Sequence, residues 1–536
     1  MIWHIFKKDF KLLWPYAAVL AVLQLSYSAM QLLNPAGDIS ESGLDDGPHG
    51  VLQQLLLAAV LFGGSFLIAS LVHQDAIPGT RQDWLVRPIP RMSLLLSKIL
   101  SAVLLIHVPM LASDLLFGLV ARFPLGTSLV YAISRNILLL MVLSMPLLAF
   151  SSLTKNLTEA VAGVFAMAVG MVMFGFITQA LHWPLKMVYE TTYNTGLHWV
   201  PQFAGYVFAF ASALAVLGIQ YFRRKTLTAR VTTVVASLIF VALTFFLPWE
   251  TASAVEEHFS RQPGASSAVS FSFDPTAGRI HRTPNRPSAI PVDWYLPLRV
   301  DGIAPDAALR VDRFSTRALF ASGESMLLSI DTNADFLQNG TGRLHVGFEP
   351  LTGETAKSPL NDPRVKEQVM QIAIEMSATL LRRTAVADMT TLDGQVQING
   401  TGCIHRQWAW YSDWDDDSRL DVTLSCAPVL NPVCYSLTLV NPPAPYVSIP
   451  VLKCPGDYKP YVGRLIPGAS SITAVAQLYD PSGNVRYPEN TEGLFQSKAF
   501  INVYEPLEHF TKTIVIPNIR FKDWTADPTP RGPAPQ

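Results

Sequence analysis

The sequence predicts a polytopic α-helical membrane domain of about seven spans, followed by a mainly-β extracytoplasmic region with one amphipathic helix. Three observations carry this. Seven long apolar runs occupy the first half of the 536 residues, near 13–33, 51–73, 94–120, 129–152, 158–181, 201–221 and 229–249, and a bilayer core of roughly 30 Å needs about 20 apolar residues per helix. From about Thr251 the text changes to short alternating segments split by Gly, Pro, Asn and Asp, the pattern of β structure. All four cysteines, Cys403, Cys426, Cys434 and Cys454, lie in that second half.

The overall charge of −1 conceals an asymmetry: residues 1–249 carry 15 Lys/Arg against 10 Asp/Glu, and 250–536 carry 25 against 31. Loops kept in the cytoplasm are enriched in Lys and Arg. With the amino terminus inside, 12 of the first 15 fall on cytoplasmic flanks: Lys7, Lys8, Lys11, Arg81, Arg87, Arg91, Lys98, Lys155, Arg223, Arg224, Lys225 and Arg230. Only Arg122, Arg135 and Lys186 fall toward the other side, where the first loop is acidic, with Asp38, Glu41, Asp45 and Asp46. An odd number of crossings then puts the C-terminal half outside. Disulfides persist there, and four cysteines allow two bridges in three connectivities. The separations of 23, 8 and 20 lack the close pairs of a zinc site, so no metal is expected; free or partly paired thiols are the alternative. Lys7 and Lys8 ahead of an apolar run have the look of a secretory signal, but six further spans and no clear small-residue cleavage site favour retained sequence. The expected domains are 1–14, an interfacial amphipathic helix; 15–250, the transmembrane domain; and 251–536, the extracytoplasmic β-rich region.

Residues 1–14 combine Trp3, Phe6, Phe10 and Trp14 with three lysines. That suits a helix lying in the headgroup layer against anionic lipid; the alternative is a frayed start of the first span. Between the second and third runs, Pro78-Gly79, Pro88 and Pro90 cut His73–Ser97 into pieces, leaving Thr80–Val86 long enough for about two helical turns. Trp84 there is an anchor of the kind enriched in binding hot spots, or part of a basic turn that only sets topology. Within the spans, an unpaired charge costs at least about 2.5–3.5 kcal/mol. Asp114 in the third run and Arg135 in the fourth fall at one depth in antiparallel neighbours, which predicts an intramembrane ion pair that clamps two helices. Pro109 and Pro146 are expected to kink their helices, and His107 and Gln179 to make helix contacts rather than bind ligands.

In the second half the pattern predicts strands over Ala318–Asp331, Arg343–Phe348, Gln395–Ile398, Arg419–Ser425, Tyr435–Val440 and Ser470–Leu478, in one or two sandwich-like modules. A helix is expected over Asn361–Arg383, with Asp362 as cap, Pro363 at the first position, an apolar stripe of Val365, Val369, Ile372, Met376 and Leu380, and Arg382 and Arg383 at its end. Asp413, Asp415, Asp416, Asp417 and Asp421 resemble a calcium loop but lack its Gly and terminal Glu, which leaves a solvated turn as the alternative. Trp408, Trp410, Tyr411 and Trp414 form either a platform for a sugar or lipid headgroup or a packed sheet face. There is no P-loop, no HExxH and no GxSxG, so no catalytic residue is assigned.

The segment DAIPGTRQDWLVRPIPRMSLLLSK, through Gly79, Trp84, Arg87, Pro88, Ile89, Leu95 and Lys98, resembles the first cytoplasmic loop of ABC transporter permeases of the type-2 exporter class, and the Lys7-Lys8-Asp9-Phe10 opening is similar to theirs. The likeness covers about residues 1–250. It implies a permease with no ATPase of its own in a bacterial cytoplasmic membrane, paired with a second permease, identical or not. A separate ABC ATPase subunit, holding ATP and Mg, would dock on the 74–97 loop through Thr80, Arg81, Trp84, Arg87, Pro88 and Arg91. It also implies short re-entrant helices near 182–200, bracketed by His182, Trp183, His198 and Trp199. The seventh run and the long tail depart from the family's six-span pattern. No cofactor in this chain and no nucleic acid partner is expected. The alternatives are a receptor or sensor with an external ligand-binding domain, and a membrane-anchored envelope enzyme.

Overall fold

A computed structural model describes residues 2–33, 47–74, 90–120, 122–180, 197, 199–245, 247–273, 279–282, 292–331, 335–348, 363–389, 395–398, 401–412, 418–426, 434–440, 447–454, 470–479 and 498–520. The first half is helical. In chain order it contains α1 (Ile2–Leu33), α2 (Gly47–His73), α3 (Arg91–Val120), α4 (125–151), α5 (Leu157–Ala180), α6 (Trp199–Arg223) and α7 (Thr226–Phe245). Among the described residues six helices are long and apolar enough to cross a membrane: Ile2–Met30, Val51–His73, Arg91–Val120, Ser128–Ser151, Trp199–Arg223 and Thr226–Thr244. The run expected at 158–181 coincides with α5, a helix of 24 residues. Residues 2–14 and the first apolar run form one helix of 32 residues with Pro15 inside it. At 1.5 Å per residue α1 is about 48 Å long, well beyond a hydrocarbon core of roughly 30 Å.

The bundle packs α1 against α2 and α3, α3 against α4, α2 against α4 and α5, and α6 against both α4 and α7. Leu13, Leu20, Leu67, Leu71, Leu105, Leu148 and Leu217 fill the shared interior. Large apolar side chains, among them Val22, Phe62, Leu119, Ile133, Phe165 and Leu238, cover its outside. An apolar exterior of this extent suits lipid rather than water as solvent.

The two prolines expected to kink their helices share one local feature. Each follows a single π-turn, Val103–His107 in α3 ahead of Pro109 and Leu140–Ser144 in α4 ahead of Pro146. Proline has no N–H and its ring collides with the carbonyl four residues back. Widening the preceding turn relieves both problems, and the residue before each proline bonds back five positions, Val108 to the Val103 carbonyl and Met145 to that of Leu140. Such turns are rare and concentrate at functional sites.

Beyond α7, a short helix α8 (Trp249–His258) leads into an antiparallel sheet. Its strands are β1 (Ser270–Phe273), β2 (Arg279–Arg282), β3 (Val292–Leu319), β4 (Ser325–Asp331), β5 (Asp335–Phe348), β6 (Met370–Asp388), β7 (Gln395–Ile398), β8 (Thr401–Ser412), β9 (Ser418–Cys426), β10 (Cys434–Val440), β11 (Val447–Lys453), β12 (Ser470–Tyr479) and β13 (Lys498–Ile519). They join in the order β1-β3-β6-β13-β10-β11-β12-β9-β8-β7, with β2, β4 and β5 also on β3. Leu298, Leu309, Phe314, Ile372, Met376 and Phe510 form the main core between the long strands. The segment expected as one strand over Ala318–Asp331 is divided by a turn at 320–324 into the end of β3 and β4.

The amphipathic helix expected over Asn361–Arg383 is a correction. Only Pro363–Glu367 is helical (α9), and Met370–Asp388 is a central strand paired with β3 on one side and β13 on the other. Ile372, Met376 and Leu380 recur every four residues, a spacing that fits a period of two as well as one of 3.6. Ile374, fully buried between them, fits only the strand, and Val369, placed in the helical stripe, is 46 % exposed. Long-range pairing and branched side chains overrode a local helix signal.

Candidate functional site

Of the expected docking residues, Thr80, Arg81, Trp84, Arg87 and Pro88 lie outside the described residues; Arg91 begins α3. Both ends of that loop are tied into the bundle. At the end of α2, His73 Nε2 is hydrogen-bonded to Thr154 Oγ1 at 3.0 Å, in the turn between α4 and α5. At the start of α3, Arg91 Nη1 donates to the Phe222 carbonyl at 2.6 Å, in the last turn of α6. The same α4–α5 turn accepts from Gln220 of α6 through the Ser152 carbonyl, at 3.2 Å, and from Arg230 of α7 through the Leu153 carbonyl, at 2.9 Å. Glu159 and Asn156 brace the turn like a capping box, Asn156 Oδ1 accepting from the Glu159 N–H and Glu159 Oε2 from that of Lys155. One plate of hydrogen bonds thus joins the ends of α2 to α7 where Lys155, Arg223, Arg224 and Lys225 are exposed. Slightly deeper, Lys98 of α3 donates to Asp9 of α1 at 2.9 Å, both buried.

Toward the middle of the bundle the structure brings together Asp114 and Arg135, the guanidinium donating to Asp114 Oδ1. Asn136 extends the pair: its amide reaches Asp114 Oδ2 at 3.5 Å and the Ala132 carbonyl at 2.8 Å, and its Oδ1 accepts from His107 Nδ1 at 3.3 Å. His107 Nε2 is 2.9 Å from Ser144 Oγ. His107 and Ser144 are the last residues of the two π-turns, so the irregular turns of α3 and α4 meet through one hydrogen bond. Alongside, Ser28 of α1 bonds Ser113 at 3.0 Å. His107 was expected as a helix contact and makes one; Asn136 and Ser144 were not singled out. The available signal was a polar residue two positions before a proline in both spans, His107 before Pro109 and Ser144 before Pro146.

One turn before Ser28, Gln24 is fully buried and neither polar atom of its amide has a partner among the described residues. Each unmet buried polar group costs about 1–3 kcal/mol. The near-isosteric Gln24→Met is therefore expected to raise stability by at least about 1 kcal/mol, read from thermal unfolding in detergent. A loss of stability instead would overturn the assignment of the amide as an unmet polar group.

A second polar centre lies where the sheet meets the helices. Residues 249–266 are fastened to β13 at its irregularity between Pro506 and Glu508. Gln262 N donates to the Leu507 carbonyl at 3.0 Å, Gly264 N and Ser266 N to the Glu508 carboxylate at 2.7 and 2.5 Å, and Arg261 to Glu505 at 2.5 Å. Burial opposes it, but those backbone N–H groups, with Lys512 nearby, hold the Glu508 carboxyl below the usual range. At the centre His509 Nε2 lies 3.0 Å from Ser253 Oγ of α8 and 3.1 Å from Ser377 Oγ. Its Nδ1 is 3.1 Å from Thr379 Oγ1, which donates to Asp312 Oδ2 at 2.6 Å, while Arg310 donates to Asp312 Oδ1 at 2.5 Å. Burial alone would raise the Asp312 carboxyl; Arg310, His509 and Thr379 outweigh it and hold it below the usual carboxylate range. The Ser253, His509 and Asp312 order matches that of a hydrolytic triad, but His509 is 2 % exposed and Ser253 5 %. Both side chains are buried, and the cluster forms a hydrogen-bonded latch between α8 and three strands.

α8 also grips the helices. Trp199 Nε1, at the first residue of α6, donates to Glu256 Oε2 at 2.6 Å, and burial pushes the Glu256 carboxyl above the usual range despite that bond. Leu197, Val200, Trp249 and Ala252 pack together beneath, and Arg313 of β3 lies 4.3 Å over the Trp249 ring.

Cys434 and Cys454 form a disulfide between β10 and the end of β11. Cys403 stands directly opposite Cys426 in the β8–β9 register. Of the three connectivities, this backbone placement suits Cys403 with Cys426. Trp408 and Trp410 are aligned with Val422 and Leu420 of β9, and Val422 is fully buried; Asp413, Asp415, Asp416, Asp417 and Trp414 lie outside the described residues, as does most of 182–200. Among the described residues no group of three His, Cys, Asp or Glu could hold a metal ion. The sequence matches no protein-family model and no curated protein.

Proposed function

We propose that the chain is the membrane-spanning permease subunit of an ATP-driven exporter of the ABC type-2 class, powered by a separate nucleotide-binding subunit that docks on the 74–97 loop. The observation that carries this reading is the fastening of that loop at both ends. His73 and Arg91 couple it to the α4–α5 turn and to the end of α6, and Gln220 and Arg230 extend the tie to α7. Force applied to Thr80, Arg81, Trp84, Arg87, Pro88 or Arg91 would therefore move the plate rather than bend one turn. ATP and Mg belong to the partner, and a second permease copy or a homologue completes the conduit. On this reading the seven helices span a bacterial cytoplasmic membrane, the basic plate faces the cytoplasm, and the sheet lies outside, latched to α6 and α7 through α8.

Trp84→Ala and Arg87→Ala are expected to lower transport-coupled ATPase by at least about tenfold while membrane insertion is kept, since a buried aromatic or Arg anchor carries about 2 kcal/mol or more of docking energy. ATPase assay of the complex purified in mild detergent checks it; normal coupling in both variants refutes the assigned docking role. The α8 latch supports a second reading, a receptor whose external domain pulls on α6 and α7 when it binds a ligand. Co-purification of a P-loop ATPase separates the two.

A further inference from the structure

We infer that α6 and α7 hold one anionic phospholipid, its headgroup on Arg223, Arg224 and Lys225 and one acyl chain in the groove between the two helices. The groove has a volume of about 660 Å³ and an almost wholly apolar lining, which includes Ala211 and Ala215 of α6 and Val231, Val235 and Ile239 of α7. It is closed at its far end by tight packing, because a Cβ on Gly205 would meet Phe240 at 3.2 Å and Thr244 at 3.0 Å. At its near end Leu227 and Thr228 open onto the turn that carries the three cations. Arg224 adopts a left-handed conformation, φ 55°, which ends α6 abruptly and leaves Arg223, Arg224 and Lys225 all exposed.

Length and charge together select the occupant. The lining of α7 runs from Leu227 to Ile239, about 18 Å at 1.5 Å per residue, which takes in one leaflet of about 15 Å and stops well short of a full hydrocarbon core of roughly 30 Å. A neighbouring transmembrane helix would need the groove to continue through both leaflets, and the Gly205 contact ends it. An acyl chain ends where a leaflet ends. Thr232 Oγ1 is already bonded to the Thr228 carbonyl within α7, at 2.9 Å, so it presents no unmet donor to the chain. Basic residues at the mouth of an interhelical pocket recruit anionic headgroups. The inference rests on α6 and α7 crossing a bilayer and is independent of the exporter reading.

Native mass spectrometry of the full chain, with phosphatidylglycerol or phosphatidylcholine of identical acyl chains added, tests it. The wild-type protein is expected to retain phosphatidylglycerol at least tenfold more than phosphatidylcholine. The combined variant Arg223→Gln, Arg224→Gln, Lys225→Gln should lose that preference, and Ala215→Phe, which fills the groove, should lower retention of both lipids. Equal retention of the two lipids by the wild type overturns the inference without need of a variant. So does unchanged binding in Ala215→Phe, or cross-linking between two copies through Ala215→Cys, which would make the groove a protein interface.

Discussion

Arg135→Ala is expected to destabilise the membrane domain by about 3–5 kcal/mol, the cost of leaving one partner of a buried ion pair without the other. Asp114 would be left buried among apolar helices without its guanidinium partner, and among the described residues Asn136 would still reach it at 3.5 Å. Asp114→Ala should cost a similar amount. Replacing both by Leu and Met of matching size should cost less than either single change, because well-packed apolar pairs substitute for buried ions at little loss. Thermal unfolding in detergent, with membrane yield as a second readout, measures all three. If the double variant falls as far as the sum of the singles, the pair is not acting as a clamp. Loss of the clamp should also loosen the contact between the π-turns, since Asn136 positions His107, and His107 holds Ser144.

The second large effect is expected in the latch. Asp312→Ala removes the acceptor of Arg310 and Thr379 and breaks a buried ion pair, again about 3–5 kcal/mol. The unfolding of the sheet should shift accordingly, while the helical bundle keeps its own transition. The pH dependence follows from the direction of the Asp312 shift. Its carboxyl lies below the usual range when folded, so it stabilises the sheet fully above an unfolded value of about 3.9, and that contribution is lost as pH falls below it. Glu256 acts in the opposite sense: raised by burial, it favours the folded latch below about 4.3, and the benefit declines as pH rises through its folded value. Acid titration of sheet unfolding should therefore steepen below about pH 4 in the wild type and flatten in Asp312→Asn. An unchanged acid limb in that variant would assign the acid sensitivity to other carboxylates.

Much of the helical half was legible as text, because the requirement is local: an apolar run either reaches across a hydrocarbon layer or it does not. The depth argument that set Asp114 opposite Arg135 also needed only the length of two neighbouring runs. Nothing local distinguished Ile372, Met376 and Leu380 on a strand from the same residues on a helix, because a spacing of four serves both. The strand was decided by β3 and β13, which supply partners on both edges. The latch was invisible for a related reason. Ser253 and His509 are separated by 256 positions, and Thr379 and Asp312 by 67, so no window of sequence contains the site.

What the chain's own composition settled, then, is the division of labour: apolar helices first, a β-rich region carrying all four cysteines after, with basic residues gathered at one end of the bundle. Solvent preference and apolar length act residue by residue and are readable in order. Only the folded arrangement decided which polar residues meet, at the paired π-turns and at the His509 latch. Their hydrogen bonds form between elements that become neighbours once burial has assembled the core, and burial carries no record of sequence distance.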